Sequence, residues 1–457
     1  MKPGRTQNRR EFLLSAGCGM AGALLWPRAA AAGWDLVPEI LGRIRAPVFA
    51  DRDFDITRFG ALPGGVMDCT RALRDAIDAC SRAGGGRVLV PAGDFPTGPV
   101  HLKSHVNLHL SPGSTLRFIP DPALYLPAVH TRWEGVECMN YSPFVYAFGQ
   151  ENVAVTGAGT LDGQADNAYW WPWNGSPFFG GRREGPGQAA ARRRLFQMGE
   201  EDVPVPHRLF GAGGFLRPNF LQFYRCRNVL VEGVTVRNSP MWQLHPVLCT
   251  NVTVRGVSMV SHGPNNDGCN PESCRDVLVE DCFFDTGDDC IAIKSGRNRD
   301  GRRIGAPSEN IIVRRCRMKD GHGGVTIGSE ASGGVRNVFA EDCDMDSPNL
   351  ERALRLKTNS VRGGFIENVF MRRVRVGQVS DAVLRIDLFY EEGDAGLFPP
   401  TVRHIEMADV RSSKSKYGVY LRGYPHAPLR DIRLLGCAFE NTSHPDVIEN
   451  VRGMTIE

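Results

Sequence analysis

The chain has 457 residues, 42% hydrophobic and 23% charged, ordinary globular usage that permits a large core and excludes wholesale disorder. Gly 52 and Pro 30 make it turn-rich without being collagenous, and no apolar run reaches the ~20 residues needed to span a bilayer, which excludes a multi-pass membrane protein. The formal charge of +3 comes from the first 32 residues, which carry +4 through Lys2, Arg5, Arg9, Arg10 and Arg28 against Glu11. Setting that +4 against the formal +3 leaves −1 for the rest, so global charge says little about partners.

In chain order, the first segment has the layout of an export signal. Asn8-Arg9-Arg10-Glu11-Phe12-Leu13-Leu14 sets paired arginines before a modest apolar stretch that ends in Ala29-Ala30-Ala31-Ala32. That order of basic, apolar and small residues resembles a twin-arginine translocation signal over 1–32, with a periplasmic or secreted mature protein. Residues 33–50 read as a linker and 51–457 as one domain. Thirteen cysteines would suit a disulfide framework in an exported chain, but cargo folded in a reducing compartment before export weakens that reading.

Residues 70 to 83 carry Ala72, Leu73, Ala76, Ile77 and Cys80 at helical spacing, and Gly84-Gly85-Gly86 stops the pattern. This predicts a helix that caps the N-terminal end of the domain. Beyond it the chain is a repeat. Asn228-Val-Leu-Val-Glu-Gly-Val, Asn251-Val-Thr-Val-Arg-Gly-Val, Asp276-Val-Leu-Val-Glu-Asp-Cys, Asn310-Ile-Ile-Val-Arg-Arg-Cys and Asn337-Val-Phe-Ala-Glu-Asp-Cys share one pattern, with further copies opening at Asn152, Asn368, His404 and Asp431. Apolar and polar residues alternate as in a strand. From 228 onward the intervals are 23, 25, 34, 27, 31, 36 and 27 residues, room for two or three short strands per copy. Two-residue hairpin signals are few. The fold class is therefore all-β, a parallel β-helix solenoid. Cys282, Cys316, Cys343 and Cys437 fill the seventh position, where other copies have Val, so they are expected to stack as small buried hydrophobes. The 76 residues between Asn152 and Asn228 exceed one coil and contain an insertion at about 165–220, with Trp170, Trp171, Trp173 and two arginine clusters. Long loops in compact folds tend to be functional.

Four polar clusters lie on successive copies at similar phase: Asn265-Asn266-Asp267, Gly287-Asp288-Asp289, Gly321-His322-Gly323 and Arg355-Leu356-Lys357. A spacing of ~4.8 Å per rung would set them along about 14 Å of one wall, the length of two or three sugar units. Carboxylates crowded beside a His and two cations leave one acid with a raised pKa among ionised bases, as glycosidic cleavage needs. Arg355 and Lys357 further suit a sugar bearing its own carboxylate.

At these residues the sequence resembles glycoside hydrolase family 28, the polygalacturonases and their relatives, whose signatures are Asn-Thr-Asp, Gly-Asp-Asp, Gly-His-Gly and Arg-Ile-Lys. The departures are Asn266 for Thr and Leu356 for Ile, and Phe59-Gly60-Ala61 also matches the start of bacterial and plant members. The resemblance implies a right-handed, single-stranded parallel β-helix that hydrolyses α-1,4-galacturonosyl linkages in pectic polysaccharide with inversion. It implies Asp288 as the general acid, Asp267 and Asp289 as holders of the attacking water, and His322 as the residue that tunes the acid. Asn265, Lys294, Arg355 and Lys357 would bind substrate, and no metal or other cofactor is implied. If the insertion closes the groove on the side that takes the non-reducing end, the enzyme is exo-acting. The expected protein is a monomer with a pectic oligo- or polysaccharide as its partner, no nucleic acid and no stable membrane insertion. A family member acting on galacturonic acid in rhamnogalacturonan fits the same residues. A calcium-dependent pectate lyase or a non-catalytic β-helix binding acidic glycans would share the fold but not the use of the three aspartates.

Overall fold

The computed structural model describes residues 33–457. The export signal expected over 1–32 therefore lies outside the described residues. Each repeat winds once around three parallel sheets. The first contains 13 strands, from Asp53–Asp55 to Val451–Ile456, and the second contains 11, from Gly93–Thr97 to Ala438–Phe439. The third is split into a four-stranded part ending at Leu244–Val247 and a six-stranded part beginning at Ile291–Ile293. Single bridges through Cys269 and Glu272 join the two parts. The expected parallel β-helix is the fold.

The repeat pattern becomes core by register. Val153, Val229, Val252, Val277, Ile311, Val338, Val369, Ile405 and Ile432 pair in sequence along the first sheet, all facing inward. β-Branched side chains pack well on such a pleated surface. The residue that opens each copy has a different task. Asn152, Asn228, Asn251, Asp276, Asn310, Asn337, Asn368, His404 and Asp431 all lie at positive φ, between 52° and 61°. Asn and Asp tolerate this left-handed turn better than most residues. The amides also bond from coil to coil: Asn337 Nδ2 donates to Asn310 Oδ1 at 3.0 Å and Asn368 Nδ2 to Asn337 Oδ1 at 3.0 Å. Cys282, Cys316 and Cys343 are buried, Cys437 is half-buried, and every described cysteine is a free thiol.

The predicted cap is the helix Thr70–Arg82, and its five apolar positions are buried against the first coil. Residues 33–50 depart from the linker reading. A helix, Leu36–Arg43, buries Val37 and Ile40, with Ile44 beyond its end, against Leu278, Ile312, Phe339 and Phe370 on the outside of the first sheet. Those four outward positions are apolar in a row, so the sheet must be covered there.

The long insertion contains short 3-10 turns and the helix Ala189–Glu200. Its tryptophans pack inward: Trp170 and Trp173 are buried among Tyr125, Tyr141 and Phe144, and Trp171 Nε1 donates to Ser239 O at 2.8 Å. A second excursion, which the repeat pattern does not announce, is an antiparallel hairpin of Val129–Trp133 and Val136–Asn140.

Candidate active site

The outward side chains of the third sheet form a floor in strict register: Tyr146, Gln222 and His245, then Ala292, Thr326, Arg355, Arg385 and Tyr420. The antiparallel hairpin lies on the first three. Thr131 Oγ1 donates to Gln222 Oε1 at 2.5 Å, the Gln222 amide donates to Arg132 O at 3.3 Å, and Tyr146 Oη donates to His130 O at 2.5 Å. Gln222 and His245 are fully buried beneath it. Arg132 fills the same stretch, 3.4 Å from Glu272, which is itself 2.7 Å from His245 Nε2. On this side the floor is sealed.

Where the hairpin ends, a polar pocket of about 190 Å³ opens. Asn265, Asp267, Asp288, Lys294, His322, Arg355 and Lys357 line it, and Asp289 lies fully buried just behind, so the structure brings all eight expected residues together. Asp267, Asp288, Asp289 and His322 come from the turns that precede the third sheet, whereas Lys294, Arg355 and Lys357 stand on or just past its strands.

The motifs owe much to crowding. Gly321 has φ +153°, and a Cβ there would lie 2.6 Å from Asp288 O; one on Gly323 would lie 2.3 Å from Thr326 Oγ1. Only glycines let His322 come this close to the aspartates. Asn266, which replaces the family's Thr, is buried with its Oδ1 accepting from Gly263 N at 2.8 Å and its amide donating to Ser239 O and Met241 O, both at 3.1 Å. It anchors the turn that carries Asp267. Leu356 points into the core.

The three carboxyls differ in acidity because their neighbours differ. Asp289 is buried, which alone would raise it, but Lys357 Nζ at 2.8 Å and Arg355 Nη1 at 3.3 Å hold it far below the usual carboxylate range. Thr326 Oγ1 also donates to it at 2.9 Å. Asp288 is buried too, and the hydrogen bond from His322 Nδ1 at 2.9 Å outweighs that burial and lowers it. Asp267 goes the other way. Burial and then the charge of Asp288 push it well above the normal value, with Lys294 at 3.8 Å only partly opposing them. Asn270 Nδ2 donates to its Oδ2 at 2.6 Å. Pairing with Asp288 raises His322 to about 9, so the imidazole is cationic at neutral pH. The expected single raised acid exists, but in this arrangement of charges it is Asp267, not Asp288.

Glu134, Arg192, Trp242, Ser329, Glu330, Tyr390 and Glu391 complete the lining and belong to none of the four motifs. Glu134 has a usable signal, since Glu134-Gly135 is a two-residue turn between strand-like runs. Tyr390 and Glu391 follow a strand of the third sheet in a loop without pattern.

Carboxyls of opposed acidity beside a fixed pair of cations, mounted on neighbouring rungs of a stiff solenoid, define a glycoside hydrolase. The family model "Glycosyl hydrolases family 28" matches residues 212–455. A hyperthermoactive exopolygalacturonase from Thermotoga maritima has a similar structure, with 47% identity and a TM-score of 0.89, covering 93% of this chain and 96% of its own. A probable polygalacturonase of Vitis vinifera is 27% identical over 82% of this chain and 71% of its own length. The exo-poly-alpha-D-galacturonosidase of Dickeya chrysanthemi is 24% identical over 74% and 58%. The chain belongs to glycosyl hydrolase family 28.

Proposed function

We propose that the protein is an exo-acting polygalacturonase that removes the terminal unit from the non-reducing end of galacturonan by hydrolysing the α-1,4 linkage with inversion. The observation that carries the exo reading is the sealed floor: a chain can enter over Arg355, Arg385 and Tyr420 but cannot continue past Gln222 and His245. The activity of the Thermotoga maritima relative supports the substrate class.

In this reading Arg355 and Lys357 hold the carboxylate of the unit on the leaving side. Its negative charge offsets Lys357, which lowers Asp288 and Asp267 alike, so it is the leaving oxygen beside Asp288 that draws the single proton of the pair. One proton moves accordingly. Asp288 gains it and delivers it to the leaving oxygen, while Asp267, now ionised beside Asp289, takes a proton from the attacking water. After the bond breaks, Asp267 is protonated and Asp288 is charged, which is the distribution favoured before substrate binds.

Timed digestion of defined oligogalacturonides and rhamnogalacturonan oligomers tests the proposal. Steady release of the terminal unit from every oligogalacturonide is the expected result. Early internal fragments would refute the exo mode, and cleavage only of the rhamnogalacturonan oligomers would shift the substrate class.

The same proposal includes twin-arginine export, supported by the order of residues 8–32, and action as a monomer, supported by a pocket built from a single chain. A reporter fused to residues 1–32 should reach the periplasm and stay inside when Arg9 and Arg10 become Lys. Sedimentation should give one species near 50 kDa.

A further inference from the structure

The cations that line the pocket are not equally free. Lys294 Nζ donates to Glu330 at 2.9 Å and to Gly328 O at 3.1 Å, and Lys357 and Arg355 both reach Asp289. Arg192 differs. Its Nε donates to Glu134 Oε2 at 2.7 Å and its guanidinium lies 4.6 Å above the Phe196 ring. Its two terminal nitrogens make no hydrogen bond among the described residues, although the side chain lines the pocket. The other nearby carboxylates already have partners: Glu330 has Lys294 and Arg297, and Glu391 has Arg297 and Arg362.

Glu134 is held in place at some cost. It sits at the hairpin tip with φ 42°, a conformation natural to Asn or Gly and strained for Glu, while its side chain is only 9% exposed. Gly135 beside it cannot be enlarged, because a Cβ would lie 2.7 Å from Arg297 N. Strained residues of this kind persist where the surroundings fix them for a task. Here the strain aims a carboxylate that holds the guanidinium through Nε and leaves its two terminal nitrogens without a partner in the pocket lining.

We propose that Arg192, oriented by Glu134 and Phe196, binds the carboxylate of the terminal non-reducing unit and thereby makes the enzyme select a uronic acid, not a neutral sugar, at the chain end. This rests on the exo reading above and adds to it a specificity residue outside the four motifs: with Arg355 and Lys357 taken by the unit on the leaving side, Arg192 is the lining cation whose two terminal nitrogens are left to hold a second carboxylate. The planar fork can take a carboxylate through two parallel hydrogen bonds.

The test compares trigalacturonate with the trisaccharide whose non-reducing terminal unit is galactose. The wild-type enzyme should prefer the acidic end by about 10- to 100-fold in kcat/KM, the range of a hydrogen-bonded charge pair. Arg192→Gln should lose most of that preference by slowing only the acidic substrate. Equal slowing of both substrates would make Arg192 a mere clasp between hairpin and helix and overturn the inference, as would a wild-type enzyme without preference. If Arg192→Gln does not fold, as judged by its melting transition, Arg192→Lys serves: it keeps the charge but loses the fork, so the preference should fall several-fold, and an unchanged preference overturns the inference. Wild-type cleavage at internal bonds would instead defeat the exo reading itself and is seen separately in product size.

Discussion

Asp267 and Asp288 are the same side chain in one pocket, and their neighbours alone separate them. Asp288→Asn keeps the shape and removes the transferable proton, so kcat should fall by about 10²–10⁴-fold with KM little changed. The pH dependence of kcat/KM reports the free enzyme. Its acid limb should lie below that of an ordinary Asp, where the lowered Asp288 takes up a second proton, and its alkaline limb should lie above the ordinary Asp value, where Asp267 loses the proton that Asp288 must receive. Lys357→Met removes the nearest cation from Asp289 and should move the acid limb upward. The folded pKa of His322 is raised, so its pairing with Asp288 stabilises the fold fully below about pH 6.5 and is lost as pH passes through about 9. The melting-temperature advantage of wild type over His322→Gln should therefore shrink across that window, measured by calorimetry. Side-chain identity was legible in the sequence because each motif is short and contiguous. The location of the resting proton was not, since it depends on burial and on contacts between different coils.

The hairpin Val129–Asn140 decides what the pocket admits. Replacing it with a short link should uncover Gln222 and His245, lengthen the groove and yield internal cuts in polygalacturonate, read as early oligomeric products. The insertion at 165–220 was visible in the sequence through its length and tryptophans, yet that segment contributes mainly packing and the helix that carries Arg192. The hairpin was not legible from the repeat because it lies before Asn152, where the pattern begins, inserted in one turn between the second-sheet strand Ser114–Phe118 and the third-sheet strand Val145–Phe148. The capping helix was legible because its apolar stripe must face the open end of the core. The ordered strap at 33–50 was not, because what fixes it is the apolar outside of a sheet assembled from residues 278 to 370.

Across the whole molecule, the repeat turns a local preference into a continuous column. Asn337→Ala removes a left-handed residue and two rungs of the amide ladder at once. It should lower stability by about 1–3 kcal/mol in denaturant titration while leaving kcat unchanged, since the ladder lies on the first sheet and the pocket on the third. The nine copies of one heptapeptide pattern made nine of the 13 strands of the first sheet readable from the sequence, because those coils repeat the same burial. A blind-ended pocket also sets what the enzyme can count. It responds to the number of polymer termini, not to polymer mass, so a solution of long chains starves it and keeps its viscosity under attack. Any activity that nicks those chains in the middle would feed it new starting points with every cut.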